Sequence, residues 1–403
     1  MNTPLPYKHI QDLSERQLLQ VIVDKLCCVA GKYILDIYGG AAAAYSLRSL
    51  SKDTIDVVRV RRSSDNAEAD FNPTEITDGT LESWVNAGEV FTNPNITGAT
   101  GWTLGANTTY NATTEAFDLL NENGLTVRQS ESINGHTYAI TIVLDSVTSA
   151  GVKIYAGGTQ SAVISSAGTY TLNIVGGSSN DFLGINPNGA ATCSISSFSA
   201  IDITADGYVT TWYDQSGNSN DATQGTAANQ PKIVDAGVLV EENGRPAVDF
   251  DGVDDYIQNA TISLSQPVSH FAIVKLKTAG GGLKRICDGG FSSSTRHSLY
   301  VNGDFFYFSG LSLTQGVAEN TNQNLHYFLA NDTSSEAAIN GSSATVGSGG
   351  TNDLGGLTMA ARWDVIAQFG DFLYQEHIIY PSDQSANRTG IESNINDYYS
   401  IYP

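Results

Sequence analysis

At 403 residues, with 20 basic against 42 acidic side chains and a formal net charge of -22, the chain has room for two or three domains. It has no basic face broad enough to neutralise a phosphate backbone, which excludes nucleic acid and anionic membranes as partners. Only 15% of residues are charged, while 40 are Gly and 19 are Tyr, a composition that favours strands and tight turns over helices.

In chain order, residues 1–11 predict an extended arm, because Pro4 and Pro6 oppose helix. Ser14 and Gln17 then form a capping-box pattern, and Leu18, Leu19, Ile22, Leu26 and Val29 recur at helical spacing until Gly31. The expected amphipathic helix of about five turns either packs on its own chain or docks to another copy or partner. Cys27 and Cys28 lie on it, Cys193 and Cys287 stand alone, and no disulfide framework or metal spacing is visible. Met1 to Gln11 has no basic start and no apolar run, and no stretch reaches about 18 apolar residues, so neither export by the general pathway nor membrane insertion is expected.

From Tyr33 to Phe71 the text turns to strands. Val58 and Val60 alternate with Arg59, Arg61 and Arg62, arginines that in so acidic a chain predict internal ion pairs. Between 72 and 207 runs such as "HTYAITIVLD" and "GTYTLNIVGG" alternate apolar and polar residues between Gly, Asn and Ser turns, as a compact antiparallel sandwich does. After 208 the strands lengthen, and several are bounded by Asn-Gly or Asp-Gly, a hairpin signal. "SANRTGIESNINDYYSIYP" predicts a short closing helix with Ile391, Ile395 and Tyr398 on one side.

Several clusters are candidate sites. "TTWYDQSGNSNDATQ" follows a strand with a dense polar turn; Asp214 and Gln215 either face a ligand or close the turn on itself, with Trp212 in a core. "DFDGVDDY" gathers Asp249, Asp251, Asp254 and Asp255; oxygen ligands of this kind suit Ca²⁺, with Asp251, Asp254 and Asp255 as the metal candidates, although the spacing is not that of an EF-hand. Trp84, Trp102, Tyr110 and Tyr155 could stack on a pyranose, Trp102 competing with a core role and Tyr110 expected in a loop. The six histidines show no ligand spacing, and no cofactor beyond Ca²⁺ is indicated.

Three separated pieces, "LDIYGGAAAAYSLRSLSKDTIDVVRVRRSSDNAEADF", "TTWYDQSGNSNDATQ" and "GDFLYQEHIIYPSDQSANRTGIESNIN", resemble the catalytic domain of the family 54 α-L-arabinofuranosidases and related laminin-G-like domains of phage structural proteins. The resemblance implies a concanavalin A-like sandwich made of residues 33–71 plus 208–403, interrupted at 72–207 by a smaller sandwich similar to galactose-binding-like carbohydrate-binding modules. The arm and helix, 1–32, precede both. The expected fold class is therefore all-β, two jelly rolls behind an N-terminal helix.

Retaining glycoside hydrolysis requires two carboxyl groups about 5–5.5 Å apart. Where the family places its nucleophile, "HFAIVKLKTAGGG" offers Lys275 and Lys277 and no carboxylate. The position resembling the family's acid/base falls near Asp364 in "ARWDV", beside Trp363; Glu376 or Asp288 would have to supply the second carboxyl. The expected function is thus a bacteriophage virion surface protein that binds host glycan without catalysis. It would be attached to other virion proteins and to its own copies through residues 1–31, with Tyr110, Trp102, Asp214, Gln215, Trp363 and Asp364 facing the ligand. The alternatives are a glycoside hydrolase acting on host polysaccharide, with Asp364 as its remaining catalytic group, and a purely structural assembly protein.

Overall fold

The computed structural model describes residues 33–290 and 295–403. The predicted arm and helix, with Cys27 and Cys28, lie outside the described residues. What is described is almost wholly antiparallel β-structure, in agreement with the all-β expectation. Among the described residues no helix is long and apolar enough to cross a membrane.

The larger body is a flattened, closed ladder with two facing layers. In one, the order runs Thr345–Gly347, Ser335–Ile339, Gln323–Ala330, Val268–Leu276, Phe372–Tyr380 and Ala43–Ser46. The other runs Ser312–Ala318, Asp304–Phe308, Ser298–Asn302, Lys284–Asp288, Leu354–Met359 and Ile257–Leu264, then by way of Ala222–Thr223 to Gly207–Trp212, Val58–Arg62 and Glu68–Phe71. Lys232–Asp235 and Val248–Asp249 close the ladder back to Phe372–Tyr380. Asn243-Gly244 and Asn340-Gly341 both adopt positive φ at turns, the conformation that made Asn-Gly a hairpin signal.

Val268–Leu276 and Phe372–Tyr380 are apolar on both faces because both faces are covered. Inside, Ala272, Val274, Phe372, Tyr374 and Ile379 join the main core. Outside, Phe271, Ile273, Ile378 and Tyr380 pack beneath helix Arg388–Tyr399, which buries Ile391, Ile395 and Tyr399. Tyr399 thus takes the inward position expected of Tyr398; Tyr398 is instead half-buried with the guanidinium groups of Arg48 and Arg245 over its ring. The arginine expectation holds for Arg59 and Arg62, which pair with Asp70 and Asp65, whereas Arg61 bonds Gln230 and Asn66.

A second pair of sheets follows Phe71. One has the order Gly168–Val175, Thr137–Ser149, Ala191–Asp202, Ala116–Glu122, Thr108–Asn111; the other is Thr126–Gln129, Leu183–Pro187, Val152–Ala156, Thr159–Gln160. They enclose a separate core that runs from Val90 to Ala200. The two short helices before it, Pro73–Thr77 and Thr80–Val85, bury Ile76, Leu81 and Val85 in the first core instead.

A polar strut crosses the main core. His297 Nε2 lies 2.8 Å from the Asn352 carbonyl, which can only accept, so Nε2 carries the proton and Nδ1 is an acceptor. His270 Nε2–H therefore donates to His297 Nδ1 at 3.3 Å, and His377 Nε2–H donates to His270 Nδ1 at 3.2 Å. The Tyr374 hydroxyl, 3.0 Å from His377 Nδ1, donates to it in turn. One carbonyl thus dictates three tautomers, all neutral, along a chain from one layer to the other. A fourth histidine, His326, is buried nearby against Phe305 with Tyr307 Oη 3.0 Å from its Nδ1.

Candidate functional site

The motif around Asp214 is a clasp. Its carboxylate accepts from the amides of Ala44, Ser216 and Asn220 and from the Ser216 hydroxyl, at 2.7–3.0 Å. Gln215 donates to the carbonyls of Ser46 and Arg48 and accepts from Leu50 N–H and the Thr54 hydroxyl. Both side chains border a polar cleft of about 360 Å³ with Asp53 and Asp56, but their hydrogen-bonding capacity is already used on backbone groups and on the Ser216 and Thr54 hydroxyls, which corrects their assignment as ligand-facing groups. Trp212 is fully buried and meets Tyr374 edge-on, as a core residue should.

Trp102 is also corrected. Only 8% exposed, it packs with Phe91, Phe117 and Phe198 and donates its Nε1–H to the Asn93 carbonyl. Tyr110 lies on the strand Thr108–Asn111 rather than in a loop, half-buried with its ring against Phe117. Trp84 packs on Phe71 beneath Arg62, and the Tyr155 hydroxyl accepts from Asn180.

Asp251, Asp254 and Asp255 do come together, with carboxylate oxygens within 4.8 Å of one another; Asp249 stands apart, paired with Lys277. Burial and the neighbouring carboxylates push Asp255 up to about 7. Oxygen donors of this kind suit a hard cation, yet Ca²⁺ takes six to eight oxygens, and Asp251 Oδ1 already faces the amides of Val253, Asp254 and Asp255. The trio adjoins a shallow cleft of about 270 Å³ lined by Asp251, Lys284, Phe369, Asp371 and the loop Gly280-Gly281-Gly282. All three glycines have φ near +90°, a conformation that favours glycine.

From that cleft the chain leads directly to an aromatic hairpin. In the hairpin Ser298–Asn302/Asp304–Phe308, Leu299, Val301, Phe305 and Tyr307 point into the core, so Tyr300, Phe306 and Phe308 point outward by the period-2 rule. Tyr300 and Phe306 stack with centroids 5.1 Å apart and planes 13° from parallel. The Arg285 guanidinium lies over Tyr300 at 4.7 Å, held by Gln368 Oε1 and Ser298 Oγ. These three half-exposed rings form an aromatic shelf.

Two ion pairs rim it. Asp288, fully buried, receives both Arg296 Nε and Nη2 and also the Trp363 amide. Asp364 is gripped through both oxygens by Arg362 at 2.6 Å, and that hydrogen bonding holds its carboxyl below the usual carboxylate range. The turn carrying Trp363 and Asp364 contains Ala360, Val365 and Gln368 at positive φ; a β-branched residue at φ 51° is a strained arrangement of the sort that persists where the surroundings dictate it. Ile366 on the same turn is 72% exposed. The predicted Trp363 and Asp364 connect to this surface through Asp288, which the Trp363 amide bonds, and through Arg362, whose charge acts on Arg285 above Tyr300; sequence reasoning missed Tyr300, Phe306 and Phe308.

Asp288 and Asp364 are each bound by an arginine, and Glu376 lies fully buried in a bidentate pair with Arg48. A general acid needs a raised pKa; Asp364 is shifted the other way.

No protein-family model matches the chain, and no curated protein matches it. Among solved structures it is similar to Trypanosoma rangeli sialidase in complex with sialic acid, at 14% identity over 46% of this chain and 31% of that one, TM-score 0.35. It is also similar to the receptor-binding domain of botulinum neurotoxin mosaic serotype C/D, at 12% identity over 47% of each chain, TM-score 0.31. The chain thus spans about a third of the sialidase and about half of the toxin domain.

Proposed function

We propose that the chain is a non-catalytic glycan-binding protein of a bacteriophage particle, carried on the virion surface as a homo-oligomer held through residues 1–31. The observation that carries the binding reading is the outward shelf of Tyr300, Phe306 and Phe308, rimmed by hydrogen-bonding side chains. Tyr300 carries Arg285 on one face and Phe306 on the other, so the rings meet a sugar by their outward edges, apolar surface beside hydrogen-bonding neighbours. The engagement of Asp288, Asp364 and Glu376 by arginines supports binding over hydrolysis. The virion assignment draws on the resemblance of the 33–71 and 208–403 segments to phage-encoded domains, and many copies on one particle would turn weak single sites into avid attachment.

On a glycan array, Tyr300→Ala with Phe306→Ala is expected to weaken binding at least tenfold while the melting temperature moves by only a few degrees, since both rings face outward. Wild-type protein is expected to release no sugar from arabinofuranosides. Turnover abolished by Asp364→Asn would establish the hydrolase instead, and an array on which wild-type oligomers bind nothing would leave a purely structural role.

The attachment reading has its own check. Full-length protein is expected to sediment as a defined oligomer and a chain beginning at residue 32 as a monomer with the same β-sheet circular dichroism. Monomers in both cases would remove that reading.

A further inference from the structure

We infer that the molecule carries an acid-operated release: below about pH 5 the larger sandwich opens while the smaller one, from Val90 to Ala200, stays folded and is freed from its seat.

Placement of the histidines decides this. His270, His297, His326 and His377 lie in the larger body, each 1% exposed or less, while His136 is the one histidine between residues 72 and 207. Ala272 stands opposite His326 on one neighbouring strand and His377 on the other, and His270 is two positions along the same face. Three imidazoles from one layer thus crowd around one small side chain, and His297 meets them from the facing layer. The groups packed against them are Tyr374, Tyr307 and Phe328, with Cys287 beside Tyr374, Asp353 acting on His297, and the paired Arg388 and Glu392 acting on Tyr307. A proton added there turns an acceptor into a second donor and breaks the line that joins the layers. Asp255, pushed up to about 7, takes a proton in the folded body and cancels one histidine; Asp56, Asp249 and Glu392, raised to a lesser degree by burial, add little above about pH 5. Acid also reduces the magnitude of the net charge of -22, so self-repulsion falls and does not supply the opening.

The smaller sandwich is wired the opposite way. No imidazole lies in its core. His136 Nδ1 is 2.7 Å from the Asp202 carboxylate, with Asp206 and Lys232 beyond, and the hydrogen bond to Asp202 raises its pKa. The stability it contributes is fully present below about pH 6.5 and is lost only as pH rises through that raised value. Burial alone would raise Glu122, but the amides of Gly124, Asn107 and Asn123 and the Thr108 hydroxyl outweigh it and hold the carboxyl low, so its contribution fails only below about pH 4. Glu131, raised by burial and by Asp181, takes its proton without unfolding.

This sandwich also closes on itself. Val90 N–H donates to the Ala200 carbonyl at 2.8 Å, Glu89 accepts from the Ala200 amide, and Ile203 N–H donates to the Thr137 carbonyl. Its seat, by contrast, belongs to the body: Ile76, Leu81 and Val85 are buried in the larger core, and Asn86 and Ala205 both bond the turn at Gly237. Opening the body leaves a closed module on two tethers. The aromatic hairpin, which starts at Ser298 beside His297, is dismantled with the body.

The test is hydrogen exchange of the full chain, read by mass spectrometry from pH 7 to pH 4.5 and corrected for the intrinsic pH dependence of exchange. Strands Val268–Leu276 and Phe372–Tyr380 are expected to lose at least a hundredfold in protection, and Thr137–Ser149 and Ala191–Asp202 less than tenfold. His326→Phe, which removes one buried imidazole outside the line, is expected to move the midpoint of the body to lower pH and leave the smaller sandwich unchanged. His136→Gln is expected to cost the smaller sandwich several-fold in protection at pH 4.5 and leave the midpoint of the body in place. Should either variant fail to fold, the wild-type profile decides alone. Loss of protection in all four strands together would show one cooperative unit and overturn the release. Protection kept in all four, or lost first in the smaller sandwich, would overturn it as well, and an unmoved midpoint in folded His326→Phe would overturn the histidine origin.

Discussion

Lowering the pH from 7 to 4.5 is expected to unfold the larger sandwich, with an uptake of three or more protons per chain. His270, His297 and His377 lie in one hydrogen-bonded line in which every ring nitrogen already has its role, and His326 is buried beside Tyr307. Adding a proton to any ring of the line turns an acceptor into a donor that faces another donor. The surroundings offer no relief: Phe328 stacks on His270, and among the described residues Asp353 is the single carboxylate that acts on the line, through His297.

Burial pushes His297 down to about 4 and His326 and His377 to about 3, and lowers His270 well below its usual value, with the other two rings adding to the effect. Depressed folded-state pKa values mean that the unfolded chain binds more protons below about 6.5. The stability these residues contribute is therefore complete above that pH and is lost as pH falls from about 6.5 toward 4. At about 1.4 kcal/mol per pH unit per proton, His297 loses roughly 3 kcal/mol by pH 4.5 and His326 and His377 about as much each, a sum comparable to the whole stability of a typical domain.

Carboxylates such as Asp70 and Asp364, held low by their arginines, act only below about pH 4, whereas Asp255, pushed up to about 7, takes its proton in the folded state within the histidine window and offsets about one of the four protons taken up on unfolding. Urea midpoints at pH 7.5, 6, 5 and 4.5 measure the slope directly. A slope of less than one proton between pH 6 and 4.5 would falsify the histidine mechanism.

Replacing Arg48 by Ala is expected to cost about 3–5 kcal/mol, because it leaves a charge alone in the interior. Glu376 is completely buried and receives Arg48 Nε at 2.7 Å and Nη2 at 3.0 Å, with the Ser46 hydroxyl at 2.9 Å. Arg48 in turn bonds Asn394 and lies against the rings of Tyr398 and Tyr399, so the pair ties the first strand to the closing helix. Arg48→Met with Glu376→Leu removes both charges together and should recover most of the loss.

Chemical denaturation of the two single variants and the double variant checks this. A cost of under about 1 kcal/mol for Arg48→Ala would show that Glu376 is solvated or neutral. The same pair bears on catalysis: if Glu376 were the missing second carboxyl, Glu376→Gln would keep the fold and lose turnover, whereas a structural pair loses stability first.

Local chemistry was readable from the chain wherever neighbours in sequence decide conformation. The Asn-Gly hairpins, the alternation of the long strands, the closing helix and the closed polar turn after Trp212 all follow from residues a few positions apart. The candidate site was only half legible. Trp363 and Asp364 stand out in "ARWDV", but "HSLYVNGDFFYFSG" has aromatic residues at both parities, so alternation alone does not separate Tyr300 and Phe306, which face out, from Phe305 and Tyr307, which face in. Trp102 shows the converse: its fate depended on Phe91, Phe117 and Phe198, partners up to about a hundred positions away.

By itself the sequence determined the all-β class, the absence of a basic face, and the turns, since composition and short-range spacing are properties of the chain and survive any packing. Only the tertiary structure decided that four of six scattered histidines share one core, that Asp288, Asp364 and Glu376 are each held by an arginine, and that Arg285 lies over Tyr300. Burial and charge pairing are relations between residues far apart in the chain, and it is closure of the two layers that brings them into contact.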